Sequence, residues 1–300
     1  MYQKRKSITI KKFNTMKKLI FSLVLSLVSI ISFAQQPSAF EVKVIGKGQP
    51  IILIPGYSCS GEVWNETVDH LKNNYELHVL TLAGFAGAKP INEDEILKTV
   101  QSQIIQYVKD KKLKKPMLIG HSLGAFMTLW LQSTNPDLFG KGICVDGLPF
   151  VSAVGNPETT VESLKSNPQF DKQTTINNFK ALPAEGYVAN MTKAMMYQVN
   201  DTVHAKRIAE WSFNSDRATL GSTIIEMSLT DLRKDISKIK SPILVLASLF
   251  GTKEASEKVY NAQYAELKNK TIKVANSKHF IMYDQPEWFY NEIDTFLKTK

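Results

Sequence analysis

Met117-Leu118-Ile119-Gly120-His121-Ser122-Leu123-Gly124-Ala125 decides the fold. The first three residues read as a short buried strand. Gly120 to Gly124 matches G-x-S-x-G, and the residues from about 125 to 133 carry a helical pattern. Strand, tight turn and helix in that order mark a nucleophile elbow rather than a coincidence of three letters. Such a turn strains the backbone of the serine. Side chains two positions to either side would collide, so both positions are glycine. The turn lifts the Ser122 hydroxyl clear of the sheet. It also sets the Leu123 N–H at the start of a helix, aimed at a developing oxyanion.

Working outward, short strands alternate with helices. Residues 40–45 alternate as an edge strand does, and 51–54 are a buried run ending in Pro55-Gly56. Residues 61–73 and 92–111 have one apolar face each and predict helices. Between them 75–82 predicts a strand. Residues 142–145, 243–247 and 271–274 predict three more strands, with a helix between the last two and another over 286–298. This rhythm implies an α/β fold, a mainly parallel, doubly wound sheet covered on both faces. Between Asp146 and Ile243 the rhythm breaks, because nearly 100 residues are far more than one crossover helix needs. Residues 150–236 are expected to form a helical cap inserted into a core made of 35–149 and 237–300. Trp211, Phe213, Tyr197 and several methionines argue against disorder there.

The N-terminus has a separate character. Lys17 and Lys18 precede an apolar run from Leu19 to Ile31, and Ser32-Phe33-Ala34 has small residues at the −3 and −1 positions. Residues 1–34 are expected to be a secretory signal cut after Ala34, placing the chain in the periplasm or outside the cell. An uncleaved anchor is the alternative, although the run is shorter than the roughly 20 residues of a spanning helix. Met1 and Met16 are alternative starts of translation. The formal charge of +9 belongs mainly to this segment. Its seven basic residues removed, 30 basic face 28 acidic residues, which gives little reason to expect a nucleic-acid partner. Cys59 and Cys144 lack metal-ligand spacing and are expected to be free thiols, so no metal is expected.

On the elbow and the strand order around it, the chain resembles the α/β-hydrolase superfamily across residues 40–298. The nearest likeness is the helical-capped group that includes many bacterial esterases and lactonases. A serine needs a base, and the resemblance implies His279, in the loop after the last strand, among the five histidines. His121 reads as a packed neighbour of the nucleophile. His70 and His78 read as surface or strand residues, and His204 as a solvated helix position, with lining of a pocket as its alternative. For the acid, relatives use the loop after the penultimate strand, where this chain offers only Glu254. Some instead use the end of the strand after the nucleophile helix, here Asp146. Asp146 is preferred, with Glu254 as the alternative. The resemblance also implies Tyr57 N–H as the second oxyanion donor beside Leu123, with the Tyr57 ring available to wall the pocket.

The expected function is therefore hydrolysis of a carboxylic ester or similar acyl bond of a small molecule, through a Ser-His-acid triad and an acyl-enzyme, without a cofactor. No stable membrane association is expected once the signal is removed, and the oligomeric state stays open. Dehalogenases and epoxide hydrolases of this superfamily need a carboxylate where Ser122 stands. C–C bond hydrolases and peptidases share the triad, and a receptor-like protein with negligible turnover is a further alternative.

Overall fold

A computed structural model describes residues 38–299. The expected signal segment 1–34 lies outside them. Seven strands form one sheet: β1 Phe40–Gly46, β2 Gln49–Ile54, β3 Tyr75–Leu82, β4 Met117–His121, β5 Gly142–Val145, β6 Ile243–Ala247 and β7 Lys270–Val274. Their order is β1-β3-β2-β4-β5-β6-β7. Only β1 runs antiparallel to its neighbour, and every other pair is parallel.

The two-residue alternation of a strand explains both layers. Ile52 and Ile54 of β2, Leu118 of β4, Cys144 of β5 and Val245 of β6 enter one core with helices Ile96–Asp110 and Leu123–Thr134. Ile51 and Leu53, Ile119, Val145 and Leu246 enter the other, with helices Asn65–Leu71 and Pro286–Lys298. The central strands are apolar on both faces because helices cover both faces. At the edge, Val42 and Val44 of β1 are exposed.

Local boundaries differ from the periodicity in instructive ways. The pattern at 61–73 divides into a 3-10 turn, Gly61–Trp64, and a helix, Asn65–Leu71. The pattern at 92–111 gives a helix only over Ile96–Asp110. Its first turn is closed from far away in sequence: the Leu97 and Lys98 N–H groups donate to the Glu226 carboxylate at 2.8 and 2.9 Å. An acceptor some 130 residues distant leaves no local signal.

Between β5 and β6 lie helices Val161–Lys165, Lys172–Ala181, Tyr187–Met195, Thr202–Asn214 and Arg217–Ser228. Four of them begin at side-chain caps, Thr160, Asp171, Asp201 and Asp216, each accepting a first-turn N–H. They pack in pairs. Gly221 lies against Ile176, where a Cβ would come within 2.7 Å of its Cα. Tyr187 and Ser212 share a buried 2.9 Å hydrogen bond between hydroxyls. The segment is tied to the sheet by the Asp216 N–H on the Gly84 carbonyl at 2.7 Å and by the Ala86 N–H on Ser215 Oγ at 2.8 Å. No helix of the described residues is long and apolar enough to cross a membrane. Cys59 and Cys144 are both buried and free.

Candidate active site

The turn after β4 puts Ser122 at φ 53° and ψ −114°, a left-handed conformation that costs an ordinary residue about 1–3 kcal/mol. The surrounding backbone leaves no alternative to glycine. A Cβ at Gly120 would lie 2.0 Å from the Gly124 carbonyl oxygen, and one at Gly124 would lie 2.1 Å from that of Ile54. The Ser122 N–H is held on the Val145 carbonyl at 2.8 Å. Its own carbonyl accepts from Ala125 and Phe126 at 3.0 and 3.1 Å, which starts helix Leu123–Thr134. The helix therefore begins two residues earlier than its apolar pattern suggests.

Asp146 follows the last residue of β5 and is also left-handed, at φ 47°. Its N–H donates to Leu246 O at 2.7 Å, which fixes the carboxyl against the end of β6. One carboxylate oxygen, Oδ2, lies 2.5 Å from His279 Nδ1. The other, Oδ1, accepts from the Ser248 N–H at 2.6 Å and from the Tyr260 hydroxyl. Burial pushes the carboxyl toward its neutral form, but the bond and charge of His279, with Tyr260 and Ser248, hold it below the ordinary Asp range. Engaging Nδ1 of His279 leaves Nε2 as the nitrogen able to take a proton. Glu254 sits elsewhere, exposed on the first turn of helix Lys253–Gln263, with its interactions confined to that turn and Thr252. The structure brings Asp146, and not Glu254, to His279.

His279 stands between β7 and a short helix, Ile281–Asp284. His121, the elbow residue before Ser122, is fully buried beside it. Its Nε2–H donates to the His279 carbonyl at 3.1 Å, and the two rings lie 4.5 Å apart between centroids. Burial first, and the neighbouring His279 second, lower His121 to about 3, so it is a neutral imidazole. Its Nδ1 has no partner and faces Gly56, where a Cβ would approach to 2.7 Å. His121 is thus more than packing: it holds the backbone of the histidine loop.

Ser122, His279 and Asp146 line one cavity of about 380 Å³. Its other walls are largely apolar, including Phe126, Leu148, Met227 and Phe250, and residues 151, 154, 197 and 198 reach it from the long insertion. Leu123 and Tyr57 are not in that wall. Their N–H groups donate to no protein acceptor among the described residues, so both remain available to a ligand. The Tyr57 ring does not wall the cavity as expected. Its hydroxyl donates to Leu220 O at 2.9 Å, and its edge meets Phe85. His204 does not line the cavity either, being stacked on Tyr283 at 3.9 Å. His78 is a buried strand residue held by Tyr107 and Glu76 at 2.7 and 2.9 Å, and His70 contacts Asp294 at 3.0 Å. Among the described residues no cluster of three or more His, Cys, Asp or Glu side chains is placed to hold a metal ion. Sequence reading missed Tyr260 and Tyr264. Tyr260 lies on helix Lys253–Gln263 and Tyr264 is its C-cap, one turn on, and the second donates to the Gly147 carbonyl at 2.7 Å. Their only signal was aromatic spacing that any core helix shows.

Comparison with known proteins places the fold. A model of the alpha/beta hydrolase family matches residues 51–292. A pimeloyl-[acyl-carrier protein] methyl ester esterase of Vibrio atlanticus is 25% identical over 210 residues, covering 68% of this chain and 76% of that protein. An (E)-2-((N-methylformamido)methylene)succinate hydrolase of Acinetobacter baylyi is 19% identical over 85% of this chain and 92% of its own length. Among solved structures, the enol-lactonase of Burkholderia xenovorans superposes with a TM-score of 0.69 at 13% identity, over 87% of this chain and 96% of that one. A thermophilic esterase from Thermogutta terrifontis gives 0.69 at 15% identity, over 86% and 93%.

Proposed function

The chain belongs to the alpha/beta hydrolase family and is a hydrolase, and from that premise we propose that it cleaves carboxylic esters of small molecules through an acyl-enzyme on Ser122. The observation that carries this reading is the convergence on one cavity of a strained elbow serine and a histidine bonded to a buried carboxylate. His279 Nε2 takes the proton of Ser122 as the hydroxyl attacks the carbonyl. Asp146, held ionised by Tyr260 and the Ser248 N–H, stabilises the imidazolium. The Leu123 and Tyr57 N–H groups receive the oxyanion, each worth about 3 kcal/mol of transition-state stabilisation. His279 then returns the proton to the leaving alcohol, and water repeats the sequence to free the acid.

Residues 150–236 act in this reading as a cap that supplies part of the pocket wall, which the lining by Val151, Tyr197, Gln198 and Met227 supports. The apolar lining favours an apolar acyl or alcohol part. The relatives named as methyl ester esterases make a small alcohol a reasonable leaving group. Export, with cleavage after Ala34, remains part of the proposal on the sequence alone, and a mature N-terminus at Gln35 is its test.

The functional test is steady-state hydrolysis of short p-nitrophenyl esters by the chain from Gln35 onward. Wild type is expected to turn over, and Ser122→Ala to lose on the order of 10⁶-fold in kcat. Stoichiometric capture without turnover by wild type would instead establish a receptor.

A further inference from the structure

One charged side chain lines the cavity besides those of Asp146 and His279, and it is Lys278. It is half-buried, next to the histidine in sequence. An ammonium carries three donors. Two are used on backbone carbonyls of the insertion, Met196 O at 2.5 Å and Val199 O at 3.4 Å. No ion pair within 4 Å neutralises it among the described residues, although ten other Lys or Arg side chains form one. The acid that shares its loop, Asp284, accepts from the Lys278 N–H at 3.1 Å, the Asn200 N–H at 2.8 Å and the Ser277 hydroxyl at 3.5 Å. Its carboxylate thus serves backbone and hydroxyl donors rather than the ammonium. That leaves one donor of the ammonium with no protein acceptor among the described residues.

We propose that the site takes esters that carry a carboxylate, and that Lys278 is the residue that recognises it. The proposal rests on the hydrolase reading above and narrows its substrate class. Lys278 also straps the turn after helix Tyr187–Met195 to the histidine loop, and the two roles make different demands. A lost strap lowers the hydrolysis of every ester alike. A lost carboxylate receptor lowers only that of the anionic ones. Lys278 is in this sense a specificity residue, and discrimination is the quantity to read.

The experiment compares each anionic ester with its neutral twin. Monomethyl esters of straight-chain diacids from succinate to suberate, set against their dimethyl esters, place the carboxylate on the acyl side. γ-Acetoxybutanoate, set against its methyl ester, places it on the alcohol side. Wild type is expected to favour the anion in at least one pair by about tenfold or more in kcat/KM, the scale of one charge-assisted hydrogen bond. Lys278→Met is expected to erase that ratio, and Lys278→Arg to retain most of it. Equal losses on both members of the pair in Lys278→Met, or no preference in wild type, overturns the proposal. If wild type hydrolyses none of these esters and no p-nitrophenyl ester either, the ester-hydrolase reading is what fails. Calorimetric binding of hexanoate to wild type and Lys278→Met then decides the carboxylate site separately: weaker binding in the variant upholds it, and equal binding removes it.

Discussion

The loops that follow β5 and β6 leave neighbouring strands at the same end of the sheet, and each carries one of the two candidate acids. Asp146 comes directly after the last residue of β5, while Glu254 comes seven residues after β6 ends. The first is buried, left-handed and bonded to His279, and the second is exposed on the first turn of a helix. The β6 loop still contributes, but with other groups. It gives the Ser248 N–H, and its helix gives the Tyr260 hydroxyl, both spent on Asp146. A carboxylate placed where a parallel strand ends is fixed by the sheet hydrogen bonds beside it. One displaced onto a helix is left to solvent. Having an acid in the right loop is therefore not enough, because the distance along the loop decides whether it reaches His279.

The comparison breaks most sharply under Asp146→Asn. We expect kcat on a p-nitrophenyl ester to fall on the order of 10⁴-fold, since an amide there favours the wrong tautomer of His279. The same measurement on Glu254→Gln is expected to stay within about twofold of wild type. Equal losses in the two variants would reverse the assignment of the acid.

A smaller effect is expected where the elbow meets the histidine loop. His121→Leu removes the donor to the His279 carbonyl, and kcat is expected to fall by about ten- to one-hundredfold. His121→Gln retains a donor at a similar reach and should recover most of the activity. Tyr260→Phe tests the support that the β6 side gives to Asp146. It is expected to cost about tenfold in kcat and to move the acidic limb of the pH–rate profile upward, because the carboxylate loses a donor that keeps it ionised. An unchanged profile would mean that Tyr260 only fills space.

The smallest effect is on stability. His121 is lowered from 6.5 to about 3 in the folded chain, so between those values an unfolded chain binds a proton that the folded one refuses. Stability must then fall as pH drops below about 6.5, and the loss is complete near the folded value. Urea midpoints measured between pH 7 and 5, above the ordinary carboxylate range near 4, should decline less steeply for His121→Gln than for wild type. Parallel declines would show that the imidazole is not shielded from protons.

The same contrast explains which parts of the molecule were legible in the sequence. The elbow and the doubly wound sheet announce themselves locally, because a glycine two residues either side of Ser122 and short apolar strands follow from backbone sterics alone. The position of His279 came from strand order together with the family resemblance. The choice between Asp146 and Glu254 needed the register of β5 against β6, which brings the Ser248 N–H to the Asp146 carboxylate across 102 residues of chain. The start of helix Ile96–Asp110 was equally hidden, since Glu226 closes it from a distant helix. The Tyr57 ring reaches Leu220 rather than the cavity, through a hydrogen bond to a segment 163 residues away. The features that escaped sequence reading are tertiary hydrogen bonds of this kind.

The most direct test of the account is mass spectrometry of the chain after treatment with a fluorophosphonate, which labels a serine only when it is activated. We expect one adduct on wild type, mapped to the peptide that holds Ser122, none on Ser122→Ala, and much slower labelling of His279→Ala. An adduct on another residue, or no adduct on wild type under conditions that label a control serine hydrolase, would contradict the assignment of Ser122 as nucleophile.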